Sequence, residues 1–600
     1  MIYISRLTLR NYRRMREVEI PLKPHTVIIG ENDTGKSSVL ELLDIALNPT
    51  RRGPFLEDGD FTYGLDPDTT RIEAVIEIRP WLGPVFGTVE RAIFDPHIDV
   101  LSEGNERILL KLEHFLDSED GAFRTRIRFV KSDGEDDGPF IAGFKRHVPF
   151  FMVPALRSAA RDLISRGGTW SRIVSGIKLE TESREMIRKI ATKAAEDIMQ
   201  LVLGNEAFSE TTTRFSELLE AVLWLEEPTG ELTFSAVPTD QRELLQAMQI
   251  LIKNPGDLHG VAILDHGDGT QSIAVVALML AYVSAMGYSN ATLAVEEPES
   301  HLHPHATRSL VRYLWNSPRQ VIITTHSTHV IDVVRLDEIV LLKRRGAETV
   351  VRFVPNNYFS EQELRELSRY IQTAGSEFLF AKCVLLTEGK TETAALPIFA
   401  KALGINFDRL GVSLVDIGGN NFRPFIRLFQ SQAFDTGYLI MCDNDSAAVS
   451  AANALADLGI VPFKVKPSSI EEKRIELENP GLYFLPTGNF EQYIMDEGHV
   501  AAYEQAIDQV HGSGRLQSYV TRRIASDSAY ASQSRTQQII DFIQREGRKP
   551  EIAFDVANII TNGGLDSTRI PAYFTHTLKA IETLAKQQLM VSDGDTSTGA

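Results

Sequence analysis

The sequence predicts a multidomain α/β protein, and three observations predict it. A G-x-x-x-x-G-K-S motif lies between a short apolar strand and an apolar helix near the start of the chain. Apolar strands and helices alternate from about Ala262 to Phe353, and a second such unit opens with the strand Cys383-Val384-Leu385-Leu386. At 600 residues the chain exceeds what one core organises, since single cores stop growing near ~250–300 residues. Apolar residues make up 43% and charged residues 24%, which excludes a disordered or collagenous chain. Only Cys383 and Cys442 could pair, so there is no disulfide framework, and a cytoplasmic location is expected.

Along the chain, Ile2, Ile4, Leu7 and Leu9 predict one strand and Val27-Ile28-Ile29 a short buried one. Further strands are expected near Ile72–Ile78 and Arg124–Val130. After Pro154 the pattern turns helical. Ile187, Ile190, Ala194, Ile198 and Leu201 recur at helical spacing, and Phe215, Leu218, Leu219, Val222 and Leu223 repeat it. Residues 156–255 therefore read as a helical insert, either a layer on its own domain or a dimerisation arm. The segments 1–155 and 256–355 flank it. A linker is expected at 356–380, with a polar helix-like stretch from Ser360 to Ala374. The second α/β unit with a helical extension spans 381–590, and 591–600 reads as a disordered tail. No signal-peptide pattern is recognised at Met1-Ile2-Tyr3-Ile4. The longest apolar run, Ile273–Val283, falls short of the ~20 residues a membrane span needs, so no membrane partner is expected.

The motif is Gly30-Glu31-Asn32-Asp33-Thr34-Gly35-Lys36-Ser37, followed by Ser38 and the helix to Leu47. Strand, glycine loop and helix in this order form a P-loop. Gly30 and Gly35 let the backbone fold around phosphates, and the backbone N–H groups of the loop, with Asn32 and Ser38 among its residues, supply positive potential. Lys36 is suited to the β/γ-phosphates and Ser37 to Mg²⁺. Leu293-Ala294-Val295-Glu296-Glu297-Pro298-Glu299 is a buried strand ending in adjacent carboxylates. Glu296 would hold Mg²⁺ through water, and Glu297 would polarise the attacking water in the catalytic role, as general base or orienting group. Ile322-Ile323-Thr324-Thr325-His326 is another buried strand, with His326 facing the γ-phosphate. The histidines His301, His303, His305 and His329 are not read as a zinc site, because no cysteine accompanies them. Gly267-Asp268-Gly269-Thr270-Gln271 opens the helix Ile273–Val283 and makes a further phosphate-facing surface through Gly267, Gly269 and Gln271.

These pieces in this order resemble the ABC-type ATPases of the SMC, Rad50 and RecF kind. The resemblance implies ATP bound at an interface shared by two subunits, each signature capping the other's nucleotide. The signature departs from Leu-Ser-Gly-Gly-Gln, no convincing Q-loop glutamine is found, and long coiled-coil heptads are missing.

A second site gathers carboxylates. Leu385-Leu386-Thr387-Glu388-Gly389-Lys390-Thr391-Glu392 is a buried strand with glutamates beyond it, and Tyr438-Leu439-Ile440-Met441-Cys442-Asp443-Asn444-Asp445 ends in Asp-x-Asp. Parallel strands bring their carboxyl ends to one rim, and the i, i+2 spacing puts Asp443 and Asp445 on one side. Oxygen donors of this kind suit Mg²⁺ or Mn²⁺. The pair resembles the Toprim domain, with Glu388 in the general acid/base position, Asp443 and Asp445 as metal ligands, and Asp416-Ile417-Gly418-Gly419-Asn420 as the glycine turn.

An ABC-type ATPase followed by Toprim resembles the OLD (overcoming lysogenisation defect) family of nucleases, which includes the Gabija-type antiphage nucleases. The resemblance implies a dimerisation insert, a further metal ligand at Glu491 and a charge-stabilising lysine at Lys549. The expected protein is an ATP-regulated DNA endonuclease acting in phage defence. Two metal ions would be shared by Glu388, Glu392, Asp443, Asp445 and Glu491, one activating water and one stabilising the leaving oxygen. A third would accompany ATP. Double-stranded DNA, a homodimer or tetramer and, as in some relatives, a separately encoded helicase are the expected partners. The net charge, 62 − 81 = −19, argues against nonspecific coating of nucleic acid while leaving room for a local basic groove. The competing expectation is a RecF-like repair ATPase whose Toprim domain only binds DNA. A topoisomerase would need a tyrosine nucleophile on a DNA-binding module, and a primase a zinc module.

Overall fold

The computed structural model describes residues 1–48, 56–101, 104–140, 146–155, 180–203, 251–253 and 259–593. Most of the expected insert, including the repeat from Phe215 to Leu223, and residues 594–600 of the expected tail lie outside them. Within the insert, Thr181–Leu203 forms a helix.

An antiparallel sheet comes first. It orders β2 (Met15–Pro21), β1 (Ile2–Tyr12), β4 (Ile72–Pro80), β6 (Glu106–Leu116), β7 (Phe123–Val130) and β8 (Asp136–Pro139), with β5 (Asp99–Val100) on β6. The β1 pattern follows the sheet pleat, since Ile2, Ile4, Leu7 and Leu9 are buried. Strand β6 was not anticipated: Ile108, Leu109, Leu110 and Leu112 do not alternate, because the strand lies in the middle of the sheet with three of these residues fully buried.

The second sheet runs β15 (Glu348–Phe353), β14 (Ile339–Arg345), β3 (His25–Gly30), β13 (Gln320–Thr325), β12 (Thr292–Glu296) and β9 (Phe150–Val153). All its pairs are parallel except β14–β15, while β10 (Leu251–Ile252) and β11 (Val261–Ala262) form a separate antiparallel pair. The carboxyl ends of β3, β12 and β13 therefore share one rim, where the P-loop, Glu296 and His326 emerge.

Gln320 joins the two sheets. Strand β1 has a bulge between Ile4 and Arg6, and its pairing with β2 begins only at Arg6. The peptide of Ile4 thus needs another partner, and the buried amide of Gln320 supplies one. Ile4 N–H donates to Oε1 at 2.9 Å, and Nε2 donates to the Ile4 carbonyl at 2.7 Å. Nε2 also donates to the Lys23 carbonyl at 3.1 Å, and the Thr292 hydroxyl donates to Oε1 at 3.0 Å. The side chain stands in for a peptide group with both its donors and its acceptor engaged.

The Toprim unit is a four-stranded parallel sheet, β17 (Val412–Asp416), β16 (Cys383–Thr387), β18 (Gly437–Cys442) and β19 (Leu482–Phe484). Segment 356–380 is not a slack linker. Glu361–Ala374 is a helix with a reciprocal Ser360/Glu363 cap, and Glu363 also pairs with Arg423 and Arg427 of the following unit. One apolar core runs from Val27 and Ile323 of the nucleotide sheet through Leu367 and Phe378 to Val384 and Ile440. Both cysteines open or close strands of this last sheet and are 0–1% exposed. Burial pushes the Cys383 thiol up to about 12 and raises Cys442 well above the usual thiol range.

Gln320→Leu tests the junction. It leaves the Ile4 peptide, the Lys23 carbonyl and the Thr292 hydroxyl without these partners, and is expected to destabilise the chain by about 3 kcal/mol, read as a lowered denaturant midpoint. An unchanged midpoint would contradict this role.

Candidate nucleotide and metal sites

The nucleotide site is assembled from three strand ends. Lys36 is 7% exposed and donates from Nζ to the carbonyls of Gly30 and Glu31, both at 2.9 Å. Burial lowers its pKa, opposed by the nearby carboxylates of Glu297, Glu299, Asp33 and Glu296. Gly30 is required sterically, since a Cβ there would lie 2.5 Å from the Leu342 carbonyl. Gly35 has φ +93°, and a Cβ would meet the Met15 methyl at 2.5 Å. Asn32 is exposed at the loop tip. The Ser38 hydroxyl accepts a 2.7 Å hydrogen bond from Arg13, which also pairs with Glu41 and Asp60. Ser38 therefore braces the helix against the β1–β2 turn rather than opening toward a ligand.

The Ser37 hydroxyl makes a short hydrogen bond to Glu296, whose other oxygen accepts the Ala155 N–H at 3.1 Å. The two expected Mg²⁺-holding groups thus meet although β3 and β12 are far apart in sequence. Glu297 follows with φ 43°, an unusual conformation for a non-glycine residue that turns its side chain off the strand end. Its carboxylate lies 3.3 Å from His326 Nδ1. Glu299, which sequence reading left without a role, fixes this strand end: Thr325 donates to it at 2.5 Å and the His326 N–H at 3.2 Å.

The signature glycines behave differently from one another. Gly267 precedes the helix Asp268–Ala285. Gly269 packs so closely on the turn after β12 that a Cβ would sit 2.6 Å from the His301 carbonyl. Gln271 turns toward its own loop. It is buried, and its amide donates to the carbonyls of Leu264 and His266 at 3.0 and 2.6 Å, closing the loop before the helix.

At the Toprim rim, ligand atoms of Glu388, Asp443 and Asp445 lie within 4.8 Å of one another. Strands β16 and β18 are paired neighbours, so the residues just past their carboxyl ends must converge. Asp443 Oδ1 accepts the Phe490 N–H at 3.0 Å, which brings the helix Phe490–Ile494 and Glu491 to the cluster. Asp445 caps the helix Ser446–Asp457 by accepting the Ala447 N–H at 2.7 Å. The glycine turn docks on the site through Gly419 N–H to the Glu388 carbonyl at 3.0 Å. Glu491 is 5% exposed, with Oε1 unpartnered by hydrogen bonds and 3.4 Å from Lys549 Nζ. Lys549 also acts on Glu388. Glu392 lies slightly deeper. Its carboxylate accepts the Gly389 N–H at 3.1 Å and falls outside the three-residue cluster. Tyr503 was missed because helical spacing marks it as core. It is fully buried, and its hydroxyl is unpartnered near Glu491, Glu392 and Asp443.

The carboxylates raise one another's pKa. Burial, then Glu388, Glu491 and Asp445, push Asp443 up to about 8. Burial, then Asp443, push Glu392 up to about 8, and Glu388 rises for burial and Asp445. Like charges held this close need a counter-charge. An all-oxygen donor set, with a buried Glu491 oxygen that takes no hydrogen bond and only a 3.4 Å ion pair to Lys549, fits a hard divalent cation.

A raised carboxyl pKa means the folded chain holds protons that the unfolded chain has released. Stability from these groups is therefore fully present below about pH 4 and is lost as pH rises toward about 8. In chelator, Asp443→Asn is expected to raise the unfolding free energy at pH 8 by about 1–3 kcal/mol, and to diminish the stabilisation by Mn²⁺ expected of the unsubstituted chain. Calorimetry at pH 5 and 8 checks both. A destabilised Asn variant at pH 8 would refute the repulsion argument.

Comparison with known proteins bears on both sites. The chain matches the model described as "Overcoming lysogenization defect protein-like, TOPRIM domain" over residues 379–445. It also matches an AAA ATPase domain over 2–113 and an AAA domain of the AbiEii toxin, Type IV TA system kind over 95–332. It is 22% identical over 581 residues to the uncharacterized protein YbjD of Escherichia coli (strain K12), covering 94% of this chain and 96% of that protein. It is 26% identical over 472 residues to the OLD nuclease of Thermus scotoductus, covering 74% and 82%. The solved C-terminal region of the Xanthomonas campestris pv. campestris OLD protein is 21% identical with a TM-score of 0.29, covering 36% of this chain and 98% of that one. With an ATPase-domain match ahead of a Toprim-domain match of this description, the chain is similar to the OLD nuclease of Thermus scotoductus over 74% of its length.

Proposed function

We propose that this protein is an ATP-regulated, divalent-metal-dependent DNA endonuclease. The observation that carries the reading is the convergence of Glu388, Asp443 and Asp445, with ligand atoms within 4.8 Å, at the rim of a parallel sheet. Its similarity to the OLD nuclease of Thermus scotoductus supports the same activity. Glu388, Asp443 and Asp445 would hold the cation, with Glu491 adjoining. A divalent cation in that position supplies the positive charge a phosphodiester needs before a nucleophile can approach. Lys549, 3.4 Å from Glu491, places an ammonium at the same rim for the developing phosphate charge. Glu388, held above the usual carboxyl range by burial and Asp445, suits the transfer of a proton to or from the reacting oxygen. Glu392 is a supporting carboxylate that orients the Glu388–Gly389 turn.

At the other site, Lys36 and the loop N–H groups would bind the triphosphate, Ser37 and Glu296 its Mg²⁺, and Glu297 with His326 the attacking water. Two copies joining signature to P-loop, double-stranded DNA as substrate and a role in phage defence belong to the same reading, the last carried by family alone.

Supercoiled plasmid incubated with Mg²⁺ or Mn²⁺, with and without ATP, is expected to yield nicked or linear product, and Asp443→Ala to abolish it. Product surviving in Asp443→Ala would sink the Toprim assignment. Intact plasmid in every lane beside demonstrated ATP hydrolysis would favour an ATPase that only binds DNA. Glu297→Gln is expected to slow ATP hydrolysis at least about 10²-fold with nucleotide binding retained, measured by phosphate release and equilibrium binding.

A further inference from the structure

The P-loop residue Glu31 does two things at once. Its carbonyl accepts Lys36 Nζ at 2.9 Å, and its side chain pairs with Lys382 Nζ at 2.7 Å. Lys382 is the residue immediately before β16, and its backbone N–H is fixed on the Gly411 carbonyl at 2.8 Å. Five residues of fully buried strand then lead to Glu388. The neighbouring nuclease strand is gripped in the same way. Lys343 Nζ, on β14, donates to the Asp435 carbonyl at 3.0 Å and to the Thr436 hydroxyl at 2.6 Å, and Arg352 pairs with Asp435 at 2.7 Å. Asp435 and Thr436 directly precede β18, whose far end carries Asp443. Cys383 and Gly437, the first residues of the two strands, are register partners, and a Cβ on Gly437 would lie 2.9 Å from Cys383 Sγ. Both strands that bear the nuclease carboxylates are thus tied at their amino ends to the nucleotide sheet.

The two ties differ in character. The Lys343–Thr436 tie is part-buried and ends on Thr436, which is 5% exposed, whereas the Glu31–Lys382 pair is more open, at 44% and 22%; Glu31, Lys382, Lys343 and Asp435 all border a cavity of about 190 Å³. A part-exposed pair contributes little to stability and has room to rearrange. Its acid sits on the loop whose lysine must exchange the Glu31 carbonyl for phosphate oxygens when a nucleotide binds.

We propose that the Glu31–Lys382 pair relays nucleotide occupancy of the P-loop to the nuclease carboxylates, with Lys382 acting as a positioning residue through β16. The proposal rests on the nuclease reading above and adds the route of its regulation. Coupling is a differential contact between two states, so one part-exposed pair accounts for a factor of about five.

The test compares plasmid cleavage with and without the non-hydrolysable analogue adenylyl imidodiphosphate, at saturating concentration, in the unsubstituted chain, Lys382→Ala and Lys382→Arg. The ratio of the two rates is expected to move about fivefold toward unity in Lys382→Ala and to be retained in Lys382→Arg, which keeps the charge. A general packing defect would alter both rates together and leave the ratio alone. An unchanged ratio in Lys382→Ala overturns the relay, as does an unsubstituted chain that cuts with no response to nucleotide; the nuclease reading survives both. Linkage supplies a readout that needs no cleavage. In an Asp443→Asn background, duplex DNA should shift the analogue's Kd, and adding Lys382→Ala should reduce that shift by the same factor. If no lane is cut, the nuclease reading fails, and the Kd comparison alone decides the relay: a shift indifferent to Lys382 overturns it.

Discussion

Everything at the nuclease end depends on holding like charges together. Parallel strands deliver their carboxyl ends to one rim, and Glu388 and Asp443 follow the ends of β16 and β18 there. Glu491 and Glu392 join from helices. Such a cluster opposes folding unless a counter-charge is supplied, and Lys549 from a distant helix provides only part of it. The surrounding structure therefore has to over-determine the strand ends. It does so with the Phe490 N–H on Asp443, the Gly419 N–H behind Glu388 and a fully buried β16.

The nucleotide end solves the opposite problem. There a buried cation, Lys36, is held by carbonyls and faced by Glu296, Glu297 and Glu299. Left-handed backbone marks sharp turns of the chain here, at Glu297 just after β12 and at Asp33 and Gly35 in the P-loop. Gln320 ties this sheet to the antiparallel one, and the shared apolar core ties it to the Toprim sheet. Hydrogen bonds and a shared apolar core thus connect these three sheets.

What was legible in the sequence follows from range. The P-loop, the strand ending in Glu296-Glu297 and the Asp443-Asn444-Asp445 end are local patterns, each carrying its own strand and turn signals. The ordering of those strands in a sheet is not local, so the meeting of Ser37 with Glu296 could be expected only through the resemblance. The helix Glu361–Ala374 was legible as a polar helix-like stretch, but its packing was not, because Glu363 finds Arg423 and Arg427 across the domain junction. Gln271 matched a motif by letter, while its amide closes its own loop. Gln320 and Tyr503 carried no signal: a glutamine opening a strand and a tyrosine on a helix face look ordinary until their neighbours are known.

The buried thiols have a practical side. Cys383 and Cys442 are sealed in adjacent strands and held protonated. Because the thiolate is the reactive form, neither should compete for a maleimide while the fold is intact. The natural chain is then already a silent background for site-directed labelling. A cysteine placed on an exposed helix face would be the one fluorophore or spin-label site, giving access to distances between the ATPase and Toprim halves without first stripping native cysteines from the core.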